Sequence, residues 1–368
     1  MIINMMQFRL ISQLIHSFVL PEVEDRIKSG KIKKKDLPIV LEQFRVIQRK
    51  LSNGSVANIV ELNKEVNLIA QIKLKEGVAK SPGEPVTRNE IELDQCFIAP
   101  PVYDGKPAAY FLCQCLFVDY LILLDLRPNA PDFTEQEIQE VKNRYPIEDF
   151  LNLQNYKMLV EPISKLGVLS DNNWPPAPGY YPQVLLELHK NPTAITSPSF
   201  LNTVSSAYGH THWDEHFAFW EETKFFPDRL PYLKRAVAAH LNKDYIASIY
   251  IIVPQFEGIM GSYLAECGHK PKGDFTNYVR DLRKLILSRK ILLFPREIFE
   301  TIFGYLENGS FWKSTRTIST PHSTINRHGI VHGLSSGFEC EEISLKYLIL
   351  LDSLAFVLLQ DRMLRGSI

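Results

Sequence analysis

The chain has 368 residues, 45% hydrophobic, 23% charged and 11% aromatic, a globular composition that excludes disordered, collagenous and coiled-coil classes and leaves room for two or three domains. With 41 basic against 42 acidic side chains the formal net charge is −1, which excludes a globally basic nucleic-acid coat and makes local charge the informative quantity. Five cysteines, Cys96, Cys113, Cys115, Cys267 and Cys340, form an odd set without a C-x-x-C pair, the pattern of buried thiols in a reducing cytosol.

Met1 to Leu20 is apolar but carries Arg9 and His16 and has no small-residue cleavage site, so an amphipathic first helix is expected there and not an export signal. Phe8, Leu10, Ile11, Leu14 and Ile15 recur at helical spacing and Leu37 to Leu51 repeats the pattern, which predicts helices through about residue 71. The basic run of Lys31, Lys33, Lys34 and Lys35 between them reads as a solvated turn. Alternation of Gln71, Ile72, Lys73, Leu74 and Lys75 predicts a strand over Ile69 to Lys75, with Ile91 to Ile98 as its partner. The longest apolar stretch, Pro107 to Leu126, is interrupted by Gln114, Asp119 and Asp125. A membrane span of about 20 residues tolerates few or no charges, so this stretch is expected to form a buried core helix with Cys113 and Cys115 packed inside it.

Three proline-rich breaks follow, at Pro100-Pro101, at Asn173 to Pro182, and around Pro192 and Pro198. Proline removes a backbone donor and disfavours helix at the preceding residue, which makes these loops or linkers. From Pro227 onward helical periodicity dominates, which predicts a boundary near residue 225. The expected organisation is mainly α: an N-terminal α or α+β region over 1–225, and a C-terminal antiparallel helical bundle over 226–368. Charge follows the same division, with 24 basic and 29 acidic residues before Leu230 and 17 basic and 13 acidic from it onward. No internal repeat or low-complexity tract is present.

In the C-terminal part a helix is expected after Pro227-Asp228 to His240, and a second from Asp244 through Ile249, Ile252, Phe256 and Ile259. A third covers Phe275 to Leu287, a fourth follows Pro295, and the last long one spans Ser344 to Leu364. Leu345, Leu348, Leu351, Leu354, Ala355 and Leu358 mark the face of this last helix that periodicity buries.

Just before that helix lies Ser323-Thr324-Ile325-Asn326-Arg327-His328-Gly329-Ile330-Val331-His332-Gly333. An arginine and two histidines at an apolar helix seam require partners or a task, because such groups are seldom buried without either. Arg327, His328 and His332 match the R-φ-x(3)-H form, in which φ is Asn, Asp or His, and residues 230 to 368 thereby resemble the HEPN superfamily. The upstream Tyr245 to Met260, with Pro254-Gln255-Phe256-Glu257-Gly258, is similar to the helix that precedes this motif there.

The resemblance implies a dimer in which two copies of the motif face each other, and metal-independent cleavage of RNA without a cofactor. His332 would deprotonate a ribose 2′-hydroxyl, since an imidazole titrates near neutral pH. Arg327 would stabilise the phosphorane oxygens through its planar donor fork, and His328 or the partner subunit's His332 would protonate the departing 5′-oxygen. Products would carry 2′,3′-cyclic phosphate and 5′-hydroxyl ends. On a helix, positions five apart lie about 140° and about 7.5 Å from each other, so the long Arg327 side chain must reach round to stand beside His332. The resemblance further implies a cytoplasmic toxin or antiphage defence role, with an antitoxin or regulatory partner and a sensing or restraining N-terminal region. The alternative it allows is a non-catalytic HEPN scaffold that binds a nucleotide or a protein partner.

Supporting roles are expected of Asn326 within the motif, of Glu257 in orienting Arg327, and of Lys313 and Arg316 on RNA phosphates. His210, His212 and His216 with Asp214 and Glu215 invite a metal reading, but Trp213, Phe217, Phe219 and Trp220 make the segment aromatic and no H-E-x-x-H or C-x-x-C pattern accompanies it. No metal site is therefore expected. P-loop, G-x-G-x-x-G and G-x-S-x-G sequences do not occur, which leaves nucleotide-fold and serine-hydrolase readings without a basis.

Overall fold

Strands precede helices along the chain in a computed structural model, which describes residues 11–50, 55–66, 68–87, 90–98, 109–115, 120–125, 165–177, 183–197, 199–209, 213–221, 226–270, 275–308, 330 and 337–365. Two compact units result. One comprises Ser17–Ser29 and Leu41–Met158; the other comprises Met1–His16, Gly30–Val40 and Leu159–Ile368. The division therefore falls near residue 159 and not 225, because the short helices between them pack with the C-terminal ones. The described residues are mainly helical, with the strands concentrated in the N-terminal part.

In the first unit, helix α1 (Leu20–Lys28) follows a π-helical turn at Ile15–Val19, so the expected first helix is present from residue 11; residues 1–10 lie outside the described residues. Strands β2 (Gln43–Lys50) and β3 (Val56–Leu62) form a four-stranded antiparallel sheet with β6 (Ala109–Cys115) and β7 (Tyr120–Asp125), in the order β3-β2-β6-β7. The helix expected over Leu37 to Leu51 is thus a strand. Phe44 to Ile47 are all buried, and a short run buried on both faces has no period that separates a central strand from a helix. The core helix expected over Pro107 to Leu126 is likewise the β6–β7 pair, with Cys113 opposite Ile122. The pair β4 (Leu68–Leu74) and β5 (Ile91–Ile98) forms the antiparallel sheet that alternation predicted. Arg45, buried on β2, donates through Nε to Glu61 at 2.7 Å, which neutralises a charge the sheet would otherwise not accommodate.

In the second unit, β1 (Ile39–Val40) pairs in parallel with β8 (Ile291–Leu292). The basic turn before β1 is solvated as expected, with Lys31, Lys33, Lys34 and Lys35 exposed. Helices α2 (Leu166–Asp171), α3 (Gln183–Lys190), α4 (Phe200–Ala207) and α5 (Trp213–Glu221) are short. The longer ones follow: α6 (Leu230–Leu241), α7 (Tyr245–Glu266), α8 (Phe275–Leu287), α9 (Arg296–Asn308) and α10 (Glu341–Arg365).

Helix α10 is the axis of this unit. Periodicity assigned it one buried face, but it is buried on all sides from Ile343 to Asp361, as expected of a helix that other elements surround. Three of the polar side chains it carries inward fasten neighbouring elements. Ser344 meets His240 on α6, Ser353 donates to the Pro176 carbonyl at 2.9 Å, and Asp361 is clasped by Arg289 at 2.6 and 2.9 Å. Its last carbonyls, which no helical N–H can reach, receive Ser12 Oγ at Met363 (2.9 Å) and lie 2.8 Å from His16 Nε2 at Leu364. Cys340, just before α10, is exposed, unlike the buried thiols expected from composition. Among the described residues no helix is long and apolar enough to cross a membrane.

Candidate functional site

Of the segment Ser323 to Gly333 the structure describes Ile330, while Asn326, Arg327, His328 and His332, together with Lys313 and Arg316 upstream, lie outside the described residues. Ile330 is helical and 1% exposed, and its carbonyl accepts a hydrogen bond from Tyr250 Oη at 3.5 Å. The Tyr250 ring also meets Phe338 edge-on, with centroids 5.9 Å apart. One residue of α7 therefore touches the chain on both sides of His332.

Helix α7 begins where Asp244 caps it by accepting from the Ala247 N–H at 3.1 Å. Lys243, in the left-handed region at φ 63, reverses the chain between α6 and α7, which leaves the two as antiparallel neighbours. Pro254 lies inside α7 and has no N–H for the Tyr250 carbonyl four residues back. Glu257 is half-buried. It lies seven residues beyond Tyr250, on nearly the same face and about 10 Å further along the axis.

A second contact marks the next turn. Arg229, immediately before α6, donates from Nη1 to Gln255 Oε1 at 3.1 Å, and Gln255 in turn donates to the Ile251 carbonyl at 3.2 Å. The guanidinium lies flat on Gly258, where a Cβ would come within 2.5 to 2.6 Å of its Nη1, Cζ and Nη2 atoms. Gly258 thus permits this close approach, and a side chain there would displace the guanidinium.

Beneath this face, His240 Nδ1 lies 2.9 Å from Ser344 Oγ, which donates to Ser248 Oγ at 3.0 Å. These three ends of α6, α10 and α7 are held together by the relay. Both serines are fully buried, so the pair joins helices and offers no accessible nucleophile.

Of the histidine cluster near residue 210 the structure describes His216. His210 and His212 lie outside the described residues, and Asp214 points to solvent. His216 Nδ1 is 3.2 Å from Asp352 Oδ1, and the same carboxylate accepts from Tyr208 Oη at 3.2 Å and Trp220 Nε1 at 3.3 Å. The imidazole stacks on Tyr208 at 4.7 Å. Among the described residues no three His, Cys, Asp or Glu side chains converge as metal ligands.

Lys346 and Tyr263 are among the buried groups whose titrations are displaced. Burial holds Lys346 below the ordinary lysine value, opposed by its ion pair with Glu342 at 2.6 Å. Burial, and next the Asp361 charge, raise the Tyr263 hydroxyl, which donates to that carboxylate.

Sequence reasoning missed Tyr250, Arg229, His240 and Asp352. Asp352 did have a signal, a lone acid within Leu348-Ile349-Leu350-Leu351-Asp352. The other three become informative only once α6, α7 and α10 are packed together. No family model matches the chain, and neither curated proteins nor solved structures give a match.

Proposed function

We propose that the protein is a metal-independent endoribonuclease of HEPN type, cytoplasmic and dimeric through its C-terminal helices, acting in a toxin or antiphage defence setting. The observation that carries this reading is the Arg327-His328-x(3)-His332 sequence, set between α9 and α10. Its middle residue, Ile330, is docked against α7. His332 takes the 2′-hydroxyl proton, the 2′-oxygen bonds to phosphorus, and the bond to the 5′-oxygen breaks. Arg327 bears the developing charge on the phosphorane. His328 or the partner subunit's His332 gives the leaving oxygen its proton. Glu257, on the α7 face that Tyr250 shares, orients Arg327, while Asn326, Lys313 and Arg316 contact the RNA.

The test is the pair Arg327→Ala and His332→Ala in the full chain. Each is expected to lose at least about 100-fold in cleavage, the usual worth of a positioned acid or base, while its thermal midpoint and dimer mass match those of the wild type. Loss of the dimer in these variants, with no cleavage by the wild type, would instead support a scaffold that binds a nucleotide or a protein.

A further inference from the structure

Several arginines of the described helices in the second unit pair with carboxylates. Arg283 is paired with Glu300 and Glu307, Arg289 with Asp361, Arg296 with Glu300, and Arg365 with Asp361 and Glu266. Arg229 meets neutral groups among the described residues: it donates to the Gln255 amide oxygen and lies against the bare backbone of Gly258. A guanidinium fixed in place without a carboxylate is prepared for an external anion.

Two rows of side chains start at this contact and run the same way, because α6 and α7 are antiparallel. Along α6, Arg229 is followed at helical spacing by Tyr232, which is 59% exposed, and by the exposed Arg235. Back along α7, Gly258 is followed by Pro254 and by Tyr250, which is 46% exposed and bonds the motif at Ile330. The α7 row covers about 12 Å at 1.5 Å per residue. Neighbouring charges are the exposed Asp228 and Asp244, the half-buried Glu257, and Lys234, which pairs with Glu221 at 3.5 Å.

We infer that this face is a track for single-stranded RNA leading to the motif, with Arg229 and Arg235 on phosphates and Tyr232 and Tyr250 stacking on bases. The inference rests on the ribonuclease reading and extends it to residues outside the motif. Alternating aromatic rings and unneutralised cations suit an unpaired strand, whose bases offer their faces, and a duplex does not. A second copy of the chain fits less well, since a two-fold contact would set the same arginines against each other.

The experiment uses the full chain carrying His332→Ala, to prevent turnover, and a fluorescein-labelled single-stranded RNA of mixed sequence in EDTA. Tyr232→Ala and Arg235→Ala, both at exposed positions, are each expected to weaken binding about tenfold, within the range of one stacked base or one phosphate contact. Arg235→Ala should also lower the slope of log K against log salt by about 0.7. Gly258→Ala should match Arg229→Ala, and the double variant should be no worse than either, because both empty the same seat. Unchanged affinity in all four variants, with the parent still binding and the wild type still cutting, would overturn the track and leave the ribonuclease reading standing. Loss of self-association at unchanged RNA affinity would overturn it in favour of a contact between copies. A parent that does not bind, with a wild type that does not cut, would overturn both.

Discussion

Asp352 shows how much a single side chain in α10 carries. Its buried carboxylate satisfies donors from Tyr208, His216 and Trp220, and removing it takes an acceptor from all three. Asp352→Ala is expected to lose about 3 kcal/mol or more of unfolding free energy, read by urea denaturation, with Asp352→Asn losing less because an amide oxygen still accepts. Lys346 makes the opposite prediction. Its folded value lies below 10.5, so between that lowered value and 10.5 the unfolded chain binds more protons than the folded one. Stability owed to this group therefore rises with pH across the window, and the penalty of burying the charge is fully present below it. Measured against Lys346→Met, the wild type should gain relative stability as pH rises toward 10.5. A constant difference would show that the buried ammonium costs nothing.

At the scale of elements, α7 carries a proline in its interior. Proline in a helix interior costs about 3 kcal/mol relative to alanine, and Pro254 sits one turn beyond Tyr250. Pro254→Ala is expected to raise the thermal midpoint while lowering RNA cleavage, as a regular helix moves the Tyr250 hydroxyl away from the Ile330 carbonyl. A higher midpoint with unchanged cleavage would separate the proline from the site. The same helix shows what the sequence made legible. Its presence, and that of α6, α8, α9 and α10, followed from proline punctuation and apolar spacing, while the continuation of α7 beyond Ile259 and the end of α9 did not. The β4–β5 pair was legible for the corresponding reason, alternation with period two. Strands β2, β6 and β7 were not, since short contiguous apolar runs satisfy either period. The all-round burial of α10 also escaped, because polar residues such as Ser344, Asp352 and Asp361 are masked as surface in a periodicity count until their partners are known. In the candidate site the motif was legible as letters. Its dock on Tyr250 and the Arg229 seat on Gly258 were not, since they join residues 80 and 29 positions apart that nothing local relates.

At the scale of the molecule, a strand-rich first unit accompanies a helical unit whose elements gather round α10. In the account proposed here the chemistry belongs to the helical unit. The most direct measurement is incubation of the purified wild-type chain with mixed RNA in excess EDTA, followed by analysis of the new ends. The account predicts cuts that persist without divalent metal and leave 2′,3′-cyclic phosphate and 5′-hydroxyl ends, because the attacking oxygen is the substrate's own 2′-hydroxyl. Cuts abolished by EDTA, or leaving 5′-phosphate and 3′-hydroxyl ends, would contradict it, since those ends require an activated water and not the neighbouring hydroxyl.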